Sequence, residues 1–235
     1  MPGYRAAVSG WHELSCCRRV VLMKTADACI YPYPIGDVSL RRVAHELELR
    51  GFTGAIAVGI PAGCTIGHVR FLSGAEITAN SVKSCRDALR DTSKADVVMV
   101  HAGDAVFNRA ILGNISFHIL RGIQHTDKRA FDHVSARMAT DRGVAVDIDL
   151  SCIISSSGLR RQRSLERYRE ISRLSRKYGF MLTLSSGARS LTGLRSVRAF
   201  TLLGEVAGLD ESQVSDALSA PAALMSPHKS VEVLE

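Results

Sequence analysis

At 235 residues the chain is long enough for one large domain or two small ones, burying roughly 70% of the unfolded surface. Apolar residues at 46% and charged residues at 23% are ordinary globular values, which excludes a disordered, collagen-like or coiled-coil chain. The net charge of +7 carries meaning only if it is concentrated, and the longest nearly uncharged stretch, 53–68, is too short and too broken by Gly and Pro to span a membrane.

Residues 1–22 show weak periodicity and contain the vicinal pair Cys16-Cys17. They read as an extension outside the fold, with Met23 as a natural start; Val20-Val21-Leu22 as an extra strand joined to the first one is the competing reading. From Met23 onward strand and helix patterns alternate. Residues 24–31 form a first strand, and 38–50 a helix with Leu40, Val43, Ala44 and Leu47 on one face and Gly51 as its stop. Strands follow at 55–58 and from 69 to 77, then a helix at 81–90, a strand at 96–101 and a short helix at 104–112. A strand at 116–120 precedes a helix at 128–142 stopped by Gly143, and a strand at 144–150 precedes a long helix at 159–178 stopped by Gly179. The last strand is 180–184, and helices at 194–207 and 211–218 complete a single domain over 23–220, with 221–235 as a tail.

Seven apolar strands separated by helices predict a parallel sheet, because each return crossing needs a helix. No glycine-rich phosphate fingerprint follows the first strand, so a dinucleotide-binding sheet is disfavoured. Polar residues gather instead at strand ends: Glu76, His101, Asp149, Ser185 and Ser186. A barrel builds its site from the C-terminal ends of its strands, so the expected fold is an α/β, TIM-barrel-like parallel barrel of about seven strands with flanking helices.

The six cysteines show no C-x-x-C and no repeated spacing, which fits reduced thiols in a cytoplasmic protein better than a zinc site or a disulfide framework. No signal-peptide core is present near the N-terminus. Eight histidines supply no H-x-H or H-E-x-x-H pair, and no G-x-S-x-G elbow marks a hydrolase. Glu76, His101, His118 and Asp149 could converge on a metal-dependent phosphoesterase site, but hydrogen-bonded interior histidines are the plainer reading.

Charge is the stronger signal. Within 159–198 eleven basic residues face only Glu166 and Glu170, so this stretch alone exceeds the +7 of the whole chain. Leu165, Tyr168, Ile171, Leu174 and Tyr178 form a helical core stripe, and arginines occupy the remaining faces. Ten of the eleven basic residues are Arg, whose planar fork binds phosphate in a bidentate manner. Arg160, Arg161, Arg163 and Arg167 in the first turns of the helix, with Arg189, Arg195 and Arg198 after the next strand, are expected to form one RNA-binding patch. Arg173, Arg176 and Lys177 fall toward the other end of the helix. Interleaved aromatics are lacking, which favours structured RNA read through its shape and phosphates.

Gly143-Val144-Ala145-Val146-Asp147-Ile148-Asp149-Leu150-Ser151, the arginine-rich helix, Leu184-Ser185-Ser186-Gly187-Ala188-Arg189-Ser190 and Leu194-Arg195-Ser196-Val197-Arg198 resemble the archaeal ribonuclease P protein component 3 family. The segments 98–104 and 107–110 resemble it too, in the same order. The resemblance implies a barrel related to the PHP phosphoesterases. It also implies a non-catalytic subunit of the ribonucleoprotein that removes the 5′ leader of precursor tRNA, partnered by ribonuclease P RNA and protein component 2. Enzymatic PHP relatives open with Asp-x-His-x-His, where this chain has Asp27-Ala28-Cys29-Ile30-Tyr31. With both histidines replaced, neither a catalytic residue, a metal nor a cofactor is expected. A stand-alone PHP-type metal-dependent phosphoesterase is the alternative.

Overall fold

Eight strands and eight α-helices are described over residues 23–92 and 94–224 in a computed structural model. The expectations for 1–22 and for 225–235 of the expected 221–235 tail lie outside the described residues, while the last helix runs on to Ala223, past the domain end expected at 220. The strands are β1 (Ala26–Ile30), β2 (Gly54–Val58), β3 (Cys64–Ile66), β4 (Val69–Ile77), β5 (Val97–His101), β6 (Ile119–Arg121), β7 (Ala145–Asp149) and β8 (Leu182–Ser185). The helices are α1 (Leu40–Leu49), α2 (Val82–Asp91), α3 (Ala105–Asn114), α4 (His133–Arg142), α5 (Leu150–Ser155), α6 (Gly158–Tyr178), α7 (Val197–Val206) and α8 (Glu211–Ala223).

Seven strands pair in parallel in the order β1-β2-β4-β5-β6-β7-β8, and β3 adds antiparallel to β4 as a short hairpin. The ring is nearly closed. Between the end of β1 and the segment that follows β8, Ile30 bridges Ala188, the Tyr31 N–H donates to the Ala188 carbonyl at 2.8 Å, and the Gly187 N–H donates to the Cys29 carbonyl at 3.0 Å. The barrel expected from the strand–helix alternation is the fold.

Strands buried on both faces read as continuous apolar runs, as β2 does with Gly-Ala-Ile-Ala-Val. Alternation divides them between two cores. Ile56, Val58, Leu72, Met99 and Ile119 fill the barrel interior, while Ala55, Ala57, Phe71, Val98, Val100 and Leu120 face the helices. Helix starts are capped, with Ser39, Ser81, Asp104, Asp132, Ser196 and Asp210 each accepting from a first-turn backbone N–H. The stops at Gly143 and Gly179 are left-handed C-caps.

Three further elements differ from the sequence expectation. β3 lies between the strands expected at 55–58 and from 69 to 77, where no strand was expected. The helix expected from 128 begins only at His133, because Asp132 caps it, and Lys128–Ala130 is a separate 3-10 turn. Asp149 ends β7 and at once caps α5, its carboxylate accepting from the Ser151 N–H at 2.9 Å, so Leu150 belongs to a helix rather than a strand. Among the described residues no helix is long and apolar enough to cross a membrane.

Candidate functional site: the barrel mouth and the basic helix

The C-terminal ends of the strands bring Cys29, Tyr31, Glu76, His101, Arg121, Asp147 and Asp149 to one mouth. Arg121, the last residue of β6, is at its centre and is 3% exposed. Its guanidinium makes three ion pairs at 3.1 Å each: Nη1 with Glu76, Nε with Asp147 and Nη2 with Asp149. Nη1 also donates to the Tyr31 hydroxyl at 2.6 Å and lies against Cys29 Sγ. The Tyr31 hydroxyl in turn donates to Glu76 Oε2 at 2.8 Å, and His101 Nε2 lies 2.7 Å from Glu76 Oε1. The exposed Arg189 guanidinium covers the outer face of the Tyr31 ring at 4.1 Å from its centroid.

Burial opposes the charge of each member, and the partners decide the outcome. For Glu76 burial alone would raise the carboxyl, but the His101 hydrogen bond, the Arg121 charge and the Tyr31 hydroxyl hold it down to about 2. Asp147 is fully buried; that burial outweighs Arg121 and hydrogen bonds from Thr183 and Ser185, pushing it up to about 6. Burial also raises the Cys29 thiol and the Tyr31 phenol, which keeps both protonated. For Arg121 burial is more than offset by the surrounding negative groups, and its affinity for the proton rises.

Asp27 completes the floor. Its Oδ1 accepts from the Cys29 and Ser186 N–H groups at 3.1 and 2.9 Å, while Oδ2 is buried with no hydrogen-bond partner among the described residues. Burial pushes its carboxyl up to about 7. Gly187 closes the mouth at φ +59°, where a Cβ would lie 3.3 Å from Arg121 Nη2, Asp149 Oδ1 and Ser151 Oγ. That backbone conformation favours glycine, and a Cβ there would also press on its three neighbours, which gives the Ser-Gly-Ala segment its physical meaning.

The second feature is α6. Tyr168 and Ile171 of the expected stripe are fully buried, and Tyr168 donates its hydroxyl to the Asp149 carbonyl at 2.9 Å, tying the helix to the mouth. Arg160, Arg161 and Arg163 are exposed in the first turns, and Arg161 donates to the Ser156 carbonyl at 2.8 Å. Arg167 is only 5% exposed, its Nη1 held by the Lys128 carbonyl and by Glu170, both at 2.8 Å. Arg195 is drawn onto the Thr192 and Leu194 carbonyls, and Arg198 is exposed on α7. Arg173 shares a cleft with Arg160 and Arg163, whereas Arg176 turns away to Asp210 and Gln213.

Of the four residues considered for a phosphoesterase site, Glu76 and His101 touch and Asp149 joins them through Arg121. His118 does not converge. It precedes β6 at the opposite end of the barrel, where its Nδ1 accepts from the Val98 N–H at 3.0 Å. Arg121, the centre of the mouth, was missed because a single Arg at the end of an apolar strand reads as a surface cation. The available signal was its place at a strand's C-terminal end, directly before Gly122.

A ring of parallel strands with flanking helices, its C-terminal strand ends meeting around a buried guanidinium, defines the class: an α/β barrel with a protein cation at its mouth. The sequence profile of the family described as RNase P subunit p30 matches residues 25–229, and this chain belongs to that family. Ribonuclease P protein component 3 of Methanosarcina acetivorans is 35% identical over 230 residues, covering 90% of this chain and 96% of the relative. In three dimensions the chain resembles a chain of archaeal ribonuclease P solved by cryo-electron microscopy with mature tRNA. The TM-score is 0.69 at 16% identity, over 89% of this chain and 98% of the other. It also resembles the histidinol phosphate phosphatase of Lactococcus lactis, solved with zinc, L-histidinol and phosphate, with a TM-score of 0.55 at 9% identity over 80% of this chain and 95% of that one.

A zinc centre of that sort does not fit the present mouth. The carboxylates of Glu76, Asp147 and Asp149 already face the Arg121 guanidinium, and a divalent ion among them would meet a fixed like charge. Cys29 and Tyr31 are held protonated there. Among the described residues no group of three or more His, Cys, Asp or Glu is arranged to hold a metal ion.

Proposed function

We propose that this chain works as a protein subunit of ribonuclease P that supports the catalytic RNA in removing the 5′ leader of precursor tRNA, without an active site of its own. The family match across 25–229 carries the subunit reading. Assigning the chemistry to the RNA rests on the mouth, where Arg121 takes the carboxylates that a hydrolytic metal would need. The partners are ribonuclease P RNA and, by family resemblance, protein component 2; precursor tRNA is met through the assembly. The exposed Arg160, Arg161, Arg163 and Arg198, with Arg189 over Tyr31, supply phosphate-binding surface, whereas Arg167 serves mainly to shape it. Cys29, Cys85 and Cys152 are free thiols, a cysteine usage that supports a cytoplasmic location.

The test is reconstitution. Ribonuclease P RNA with its protein set should process precursor tRNA faster when this chain is included, and the chain alone should show no turnover on precursor tRNA or on phosphate monoesters. Metal-dependent turnover by the chain alone, lost on Glu76→Ala, would return the phosphoesterase reading. Equal processing with and without the chain would remove the subunit reading.

A further inference from the structure

The basic helix does not present a flat charged face. Arg160, Arg163, Arg167, Glu170 and Arg173 recur at three- and four-residue spacing along α6, which places them on one side of the helix. That side forms one wall of a cleft of about 1010 Å³, and the segment 124–128 between β6 and α4 forms the other. Six cations line it against three carboxylates, and one of the three, Glu170, is already paired with Arg167. Among the described residues Arg160, Arg163, Arg169 and Arg173 enter no ion pair, and all four are exposed.

A second observation concerns the cleft floor. Arg167 is nineteen-twentieths buried, yet its Nε and Nη2 have no hydrogen-bond partner among the described residues. A desolvated cation left half-paired costs free energy unless further negative charge comes close. Its one firm backbone bond, to the Lys128 carbonyl, fixes the opposite wall against the helix. The floor therefore holds both the shape of the cleft and its positive potential.

The lining also limits what would fit. It contains no Phe, Tyr or Trp and a single ring, His125, so it offers no row of aromatic platforms for successive bases. Five arginine forks and a Lys, with one imidazole among them, suit a row of phosphates better than a set of base edges. We infer that the cleft between α6 and the segment 124–128 is a groove for the phosphodiester backbone of folded RNA, with Arg160, Arg163, Arg173 and Lys128 as its contacts and Arg167 as the positioning residue beneath them. The inference rests on the subunit reading but divides the arginines differently from a single patch. It joins Arg173 and Lys128 to Arg160 and Arg163, and leaves Arg189 to the barrel mouth.

The test is a fluorescence-anisotropy titration of the full chain with a labelled RNA hairpin at several salt concentrations. R160Q/R163Q/R173Q should lose at least about tenfold in affinity and reduce the salt slope by about 2, at about 0.7–0.9 per lost phosphate contact. K128Q, on the opposite wall, should reduce the slope by about 0.7–0.9 on its own. The charge-matched R41Q/K83Q/R86Q, on exposed positions of α1 and α2, should leave both quantities unchanged, and equal thermal midpoints should show that all three variants fold. Equal losses in the two triple variants would mean diffuse attraction and would overturn the groove. So would a groove variant that keeps its RNA affinity but no longer binds component 2, which would mark an acidic protein partner. If the groove fails while reconstituted processing still depends on the chain, the subunit reading stands. If the wild-type chain shows no salt-dependent RNA binding, the groove falls as well.

Discussion

Arg121 shows how much one side chain can carry. Its guanidinium is shared among carboxylates from β4 and β7, and its Nη1 reaches β1 through Cys29 and the hydroxyl of Tyr31, just past the strand's end. Replacing it with Ala leaves several buried acids without a counter-charge, and breaking a buried pair in this way costs about 3–5 kcal/mol. Urea denaturation of Arg121→Ala should show a loss of that size, and a loss below about 1 kcal/mol would mean that water enters the mouth freely. Asp27 offers a sharper test. Its folded value of about 7 stands above the unfolded 3.8, so its proton favours the fold. That contribution is complete below about pH 4 and disappears as pH rises through 7, amounting to about 4 kcal/mol at most. Glu76 works in the opposite sense: held down to about 2, it stabilises the fold above about pH 4.5, and the benefit is lost as pH falls toward 2. Asp27→Asn should therefore make the stability profile shallower between pH 4 and 8, most clearly above pH 6 where Asp147 no longer contributes, while leaving the acid limb in place. An unchanged neutral limb would show that Asp27 is ionised in the fold.

Among the elements, α6 was the most legible in the sequence. Its core stripe, its glycine stop and its charge all follow from residue spacing, and the structure has each of them. What spacing did not reveal was that one arginine of the seven expected to bind RNA, Arg167, is buried. It lies one position from the buried Tyr168, and its Nη1 is held by the Lys128 carbonyl of the neighbouring segment. Arg167→Met conserves length and removes a half-paired buried charge, so stability should change by less than about 1 kcal/mol or rise. A loss above about 3 kcal/mol, measured by the same denaturation, would show that Arg167 is fully paired and contributes to the fold. β3 and α5 escaped the sequence reading for a related reason. β3 is only three residues long, and α5 begins on the residue after a strand, so neither has room for a period to develop. Tertiary context defines both.

At the scale of the whole molecule the barrel was legible because parallel strands buried on two faces leave long apolar runs, and helices with polar outer faces separate them. Nearly every strand and helix could be placed within a few residues on that ground. The mouth was only half legible. Glu76, His101 and Asp149 stood out as polar ends of apolar strands, but their organising cation did not, because no local pattern links position 121 to positions 76, 147 and 149.

The ring joint between β1 and β8 has a kinetic consequence. Elsewhere around the barrel neighbouring strands share several ladder bonds, but here one bridge and two backbone hydrogen bonds span the gap, and α8 packs behind it. The joint is the weakest circumferential link, so the barrel should breathe there first, opening like a split ring while β4 and β5 stay paired. In native-state hydrogen exchange the Tyr31 and Gly187 amides should lose protection well before those of Met99 and Val100. Arg121 acts as a clasp across that split, its side chain reaching β1 from β6, and Arg121→Ala should speed exchange at Tyr31 and Gly187 more than global destabilisation requires. Uniform acceleration throughout the sheet would mean that the ring opens as a whole and that the clasp has no local effect.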